Sequence, residues 1–254
     1  MSANWPIGYG LVNYWHTVDP VPFAKALKKA GCNLTAIEWV PWFDVKPCSC
    51  KKTGGSSLYG GCAKKPHPKL AQKFVYEMSK RGITTLVIQE NRNSCACRAE
   101  DDAYRASMLK KILKLQEHGS IWYEPFSEPW VKSAGTEQFV KYARSIVPIQ
   151  VPFVIPDKER HVPIKQPYWS NVPFSYLDVH PDSDAAVMAG LRKGHPVLVN
   201  SDCTGTLNPG PTRARVWAKE SARTKTGLHI YDFRGKTPDL AVISVLGEVI
   251  NGSI

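Results

Sequence analysis

The chain has no apolar run approaching the roughly 20 residues that a bilayer-spanning helix needs, so no membrane span is expected. Its opening residues, MSANWP, carry neither a basic stretch nor an apolar one, so a signal peptide is not expected either. The protein is then expected to stay in the cell that makes it, or to leave by lysis or assembly into a particle. Several chemistries are missing as well. Gly8-Tyr9-Gly10 begins like a dinucleotide-binding turn, but Asn13 stands at its third glycine position. Gly235-Lys236-Thr237 ends like a phosphate loop whose leading glycine is replaced by Ile230. There is no G-x-S-x-G nucleophile elbow and no H-x-H metal pair. No zinc-finger spacing, aromatic RNA-binding signature or basic heptad region is present, so nucleic acid is not the expected partner.

Acidic residues are scarce: 22 Asp and Glu stand against 33 Lys and Arg, a net charge of +11. The imbalance predicts attraction to polyanionic surfaces or substrates. It is steepest between Lys46 and Arg81, where nine basic residues face one acid, Glu77. Hydrophobic residues make up 43% of the 254, enough for a large core.

Short apolar strands alternate with amphipathic helical stretches, the pattern of a parallel sheet with crossover helices. Strands are expected at 7–13, 34–40, 83–89, 121–125, 151–155, 174–179, 196–200 and 228–232. Helices are expected at 20–30, 68–80, 101–117, 136–146, 182–193 and 211–222, and the apolar tail at 240–250 reads as a closing helix or an extra strand. Eight strands in a chain of this length predict one (β/α)8 TIM-type barrel over residues 1–254, with an open doubly wound sheet as the alternative. A Cys-, Gly- and Lys-rich insertion at about 44–66 follows the second strand.

In such barrels the chemistry lies just beyond the strands' C-terminal ends. Acids and aromatics recur there: Trp15 and His16, then Glu38, Trp39 and Trp42, then Glu90, then Glu124, Glu128 and Trp130. Asp157, Asp178 with His180, Asp202, and Tyr231 with Asp232 complete the round. Sugar hydrolysis uses both residue types, two carboxyl groups to flank the scissile bond and flat rings to stack on a sugar. Each tryptophan taken singly reads equally well as a large core side chain. Glu38 and Asp232 read as structural partners near the mouth.

The tripeptide Ser127-Glu128-Pro129, following the fourth strand, resembles the Asn-Glu-Pro motif of the clan of retaining glycoside hydrolases built on (β/α)8 barrels. The resemblance implies that Glu128 is the acid/base and that Asp202, after the seventh strand, stands in the nucleophile's place. Ser127 replaces the clan's Asn, and Asp202 is one methylene shorter than Glu, which also suits an inverting reaction. Glu124 is the rival acid and Asp178 the reserve second carboxylate. Trp15, Trp42, Trp130 and Tyr231 are expected to line sugar subsites, with Glu90 and His180 contacting substrate. A glycan, anionic or from a cell wall, is the expected substrate, and no catalytic cofactor is required. Two other readings stand beside it: a non-catalytic glycan-binding barrel of an adhesin or viral particle, and a metal-dependent amide or ester hydrolase using His16, Asp178, His180, Asp202 and His229.

Five of the seven cysteines, Cys48, Cys50, Cys62, Cys95 and Cys97, fall in the loops after the second and third strands. Disulfides, a structural zinc or free thiols are the three readings, each leaving the cluster structural. Cys32 is expected at the opposite end as a small buried hydrophobe, and Cys203 lies beside Asp202.

Overall fold

The computed structural model describes residues 3–12, 14–39, 46–47, 61–62, 67–91, 102–127, 134–156, 173–179, 181, 183–200, 209–231 and 237–252. Eight parallel strands form the frame: β1 (Ile7–Gly10), β2 (Leu34–Glu38), β3 (Thr84–Asn91), β4 (Ile121–Ser127), β5 (Val154–Pro156), β6 (Tyr176–Val179), β7 (Val197–Asn200) and β8 (Gly227–Tyr231). Their order is β4-β3-β2-β1-β8-β7-β6-β5. The ring closes where Tyr123 bridges Phe153 in parallel and the Tyr123 amide donates to the Pro152 carbonyl at 3.0 Å. The closed TIM-type barrel is therefore the fold, and the open sheet is ruled out.

Among the described residues seven α-helices surround it: α1 (Pro20–Ala30), α2 (Pro68–Ser79), α3 (Asp102–Leu113), α4 (Ala134–Ile146), α5 (Asp184–Leu191), α6 (Pro211–Thr224) and α7 (Leu240–Ile250). Their limits follow from local chemistry. The Asp19 carboxylate accepts from the Val21 amide, Pro20 sits at the first helical position, and Gly31 closes α1 with φ 76°. The Ser183 hydroxyl accepts from the Ala186 amide to start α5, and the Asp239 carboxylate accepts from Ala241 and Val242 to start α7. The apolar tail is thus a helix. It buries Val242, Ile243, Val245, Leu246 and Val249 between α1 and α6, and Gly247 lies directly on Ala30 of α1.

Alternation along each strand sends one set of side chains outward under the helices. Ile7, Tyr9, Ile37, Val87, Tyr123, Ile155, Leu177, Val199, Leu228 and Ile230 join Phe23, Phe74, Leu109, Val140, Leu191 and Trp217 in one sheet–helix core. Cys32 is part of that layer, and burial pushes its thiol pKa up to about 12, which makes it an inert apolar filler. No helix among the described residues is long and apolar enough to cross a membrane.

Candidate functional site

The inner face of the barrel changes character along its axis. Its apolar part is Val12, Leu34, Ala36, Leu86, Ile88, Val154, Leu198 and Tyr231, flanked by Trp122 and Tyr176. One step further along the same alternation, polar groups face inward. Glu38 follows Ala36, Glu124 follows Trp122, Asp178 follows Tyr176, and Asn200 follows Leu198. His229 lies two residues before Tyr231. Glu38, Glu124, Asp178, Asn200 and His229 are fully buried, and Tyr231 is 1% exposed. Five strands therefore contribute to one polar layer beneath the mouth. Polar side chains in such numbers are rare in the packed interior of a barrel that only needs to fold.

Within that layer the register relates two carboxylates. Glu38 of β2 and Glu124 of β4 both pair with Ile88 of the intervening β3. Their backbones are thus two strand spacings apart, roughly 10 Å, a span that side chains converging on a barrel axis shorten. Asp178 enters from β6, in register with Leu198 of β7.

His229 is the inner face's single imidazole among the described residues. Its pKa is lowered to about 3 by burial, so the ring is neutral at ordinary pH. Neither ring nitrogen has a hydrogen-bond partner among the described residues. The ring stands edge-on to Tyr231, with centroids 4.5 Å apart and planes at 82°. It occupies space that only a glycine at position 10 leaves open, since a Cβ on Gly10 would come within 2.9 Å of Nε2. The Gly8-Tyr9-Gly10 fragment therefore serves close packing inside the barrel.

At the rim after β1, Trp15 is 1% exposed and its indole N–H donates to the Glu38 carbonyl at 2.8 Å. Its ring meets Phe74, His16 and His67 edge-on, while His16 and His67 stack in parallel at 5.1 Å. Trp15 is thus enclosed by the protein's own rings and ties the end of β2 to the turn after β1. Gln89 points outward, accepting from the Tyr123 hydroxyl at 2.7 Å and donating to the Arg105 carbonyl at 3.2 Å.

Of the residues singled out in the sequence, the structure places Glu124 and Asp178 in the polar layer and Tyr231 in the apolar part beside His229. Glu90 lies on β3 after Ile88, with only its backbone described. Glu128, Asp202, Trp42, Trp130, His180, Cys48, Cys50, Cys95 and Cys97 lie outside the described residues, as does the side chain of Cys62. Two strand ends nevertheless bear on them. β4 ends at Ser127, one residue before Glu128, and β7 ends at Asn200, two before Asp202. Glu38, read as a structural partner, and Asn200, not singled out by itself, join the layer. Their signal in the sequence is the period-two pattern of LTAIE and VLVN. Among the described residues, no three His, Cys, Asp or Glu side chains gather as a metal-binding group.

No protein-family model matches the chain, and no curated protein matches it in sequence. Solved structures do match in shape. A family 5 glycoside hydrolase from Bacteroides vulgatus aligns over 89% of this chain at 11% identity and TM-score 0.56, and the chain spans only 57% of that protein. A β-1,4-mannanase from the sea hare Aplysia kurodai aligns over 96% of this chain and 92% of its own, at 10% identity and TM-score 0.60. An aldolase of the phospho-2-dehydro-3-deoxyheptonate type from Thermotoga maritima aligns over 98% of this chain and 69% of its own, at 11% identity and TM-score 0.58. Glycoside hydrolases and an aldolase fit this backbone almost equally well, so what the likenesses establish is the (β/α)8 barrel.

Proposed function

We propose that the chain is a glycoside hydrolase that cleaves an anionic or cell-wall glycan with a pair of carboxyl groups at the C-terminal mouth of the barrel. The observation that carries the reading is the position of the strand ends. β4 ends at Ser127 and β7 at Asn200, one and two residues before Glu128 and Asp202 in the sequence. That is where the retaining barrel hydrolases resembled by Ser127-Glu128-Pro129 carry their acid/base and nucleophile. The mannanase and the family 5 hydrolase among the similar structures are consistent with it.

In this reading Glu128 protonates the departing glycosidic oxygen, and Asp202 either attacks the anomeric carbon or activates water. Glu124 and Asp178, both buried on the inner face, are the groups this reading assigns to favour the protonated form of Glu128. Trp42 and Trp130 offer stacking faces to the sugar rings, with Glu90, His180 and Tyr231 as polar contacts and Trp15 bracing the rim. No cofactor takes part in this chemistry.

The test is hydrolysis of a panel of cell-wall and acidic polysaccharides by the wild type and Glu128→Gln, which keeps shape and removes the acid. The reading expects release of reducing sugar and a loss of roughly two orders of magnitude or more in the variant. Binding of a glycan without any cleavage would move the chain to the glycan-binding alternative.

A further inference from the structure

We propose that the floor of the barrel, the end opposite the candidate site, is a docking face for an anionic lipid bilayer. In this fold the helices run antiparallel to the strands, so each helix ends at the floor. α1 ends in Lys28 and Lys29, and Lys80 and Arg81 follow α2. Lys111 lies in the last turn of α3, Lys114 begins its 3-10 extension, and Arg192 and Lys193 follow α5. Two of the acids at this end are held by arginines, Glu77 by Arg81 at 2.6 Å and Glu220 by Arg192 at 3.1 Å and Arg223 at 2.7 Å, which leaves the exposed Glu117 against the lysines. Lys28, Lys29, Lys80, Lys111, Lys114 and Lys193 are all exposed and belong to no ion pair among the described residues.

A cation in the last turn complements a helix dipole, but here the surplus runs on from helix to helix. The Lys28 ammonium lies 4.0 Å from where a side chain on Gly82, in the turn after α2, would begin. That turn is joined in its turn to the end of the α3 extension, where the Ser120 amide donates to the Ser79 hydroxyl at 3.1 Å. The free ammonium groups are therefore spread around one end of a cylinder. One aliphatic side chain accompanies them: Ile149, between α4 and β5 at the same end, is 84% exposed. A basic face with a protruding apolar side chain is suited to the headgroup layer. Docked this way, the protein would hold its mouth away from the bilayer, and the inference stands whether or not the mouth cleaves a glycan.

The experiment is co-sedimentation of the full chain with vesicles of phosphatidylcholine alone or with one third phosphatidylserine, at low and high salt. Binding is expected only to the anionic vesicles and should fade as salt rises. Lys28→Ser with Lys29→Ser should lower the partition by roughly tenfold or more, at about fivefold per lysine. Lys69→Ser with Lys73→Ser removes the same charge at the other end of α2 and should leave binding near wild type. Ile149→Ser should also weaken it. Melting curves confirm that each variant is folded. Absence of binding to anionic vesicles, equal losses in the two double variants, or no effect of Ile149→Ser would overturn the proposal. Retention on heparin or duplex DNA with no vesicle binding would assign the face to a polymer and overturn it equally.

Discussion

The imidazole of His229 lies where a side chain on Gly10 would have to go. The two residues face each other across the paired strands β8 and β1, whose register sets Gly10 beside Tyr231 and His229 beside Gly8. A methyl group at position 10 can be accommodated only if the buried ring moves, and the ring is wedged against Tyr231. Gly10→Ala should therefore cost about 1–3 kcal/mol by overpacking. In a His229→Ala background the same change should cost far less, because the space is then free. Urea denaturation of the two single variants and the double variant gives the coupling. Strictly additive losses would mean that the two positions do not compete for one space.

The same imidazole should make the fold sensitive to acid. Burial lowers its pKa from 6.5 to about 3. In the unfolded chain the ring takes up a proton near pH 6.5, while the folded chain keeps it neutral until about pH 3. Between these values the unfolded state binds more protons, so stability falls as pH falls. The contribution is fully present above pH 6.5 and is lost toward pH 3 at up to about 1.4 kcal/mol per unit. Denaturation midpoints followed from neutral to mildly acidic pH should show that slope, and His229→Leu should flatten it. An unchanged slope in the variant would place the acid sensitivity elsewhere.

The barrel was legible because its strands and helices carry their own periodicity. LTAIE, ITTLVIQ and VLVN read as buried strands, and Asp19-Pro20 with Gly31 marks both ends of α1 in local chemistry alone. The polar layer was partly legible by the same route, since inward alternation from Ala36, Trp122 and Tyr176 leads to Glu38, Glu124 and Asp178. Trp15 shows where such reading stops. Its place after a strand is the same whether the ring stacks on a sugar or fills a gap, and only the bond to the Glu38 carbonyl and the contact with Phe74 show it enclosed. Those partners lie 23 and 59 positions away in sequence, beyond any local pattern. His229 is similar, because its neutrality follows from what surrounds it and not from its neighbours in the chain.

At the floor, Ser221 holds two elements with one hydroxyl. It accepts from the Trp5 indole N–H at 2.9 Å and donates to the Thr226 carbonyl at 2.6 Å, and Lys225 lies 4.2 Å above the Trp5 ring. Ser221→Ala should leave a buried donor and a buried acceptor unmet, costing about 1–3 kcal/mol. Thermal denaturation reads the loss, and Trp5→Phe should recover part of it by removing the stranded N–H. A Ser221→Ala variant as stable as wild type would mean that water reaches both groups.

Glu124 and Glu128 are the two acids at the end of β4, and their proposed roles predict different kinetics. Glu128 is to donate the proton, so Glu128→Gln should lower kcat/KM by roughly two orders of magnitude or more and abolish the acidic-group dependence of the pH profile. Glu124 is fully buried in register with Ile88, beneath the mouth. In the proposed reading its carboxyl acts on Glu128 through space, and a neighbouring negative charge raises the pKa of an acid. Glu124→Gln should leave the reaction measurable while shifting the alkaline limb of the profile to lower pH, because Glu128 would then lose its proton more readily. If Glu124→Gln removes activity and Glu128→Gln spares it, the proton donor is Glu124, and the substrate must reach the buried inner face of the barrel.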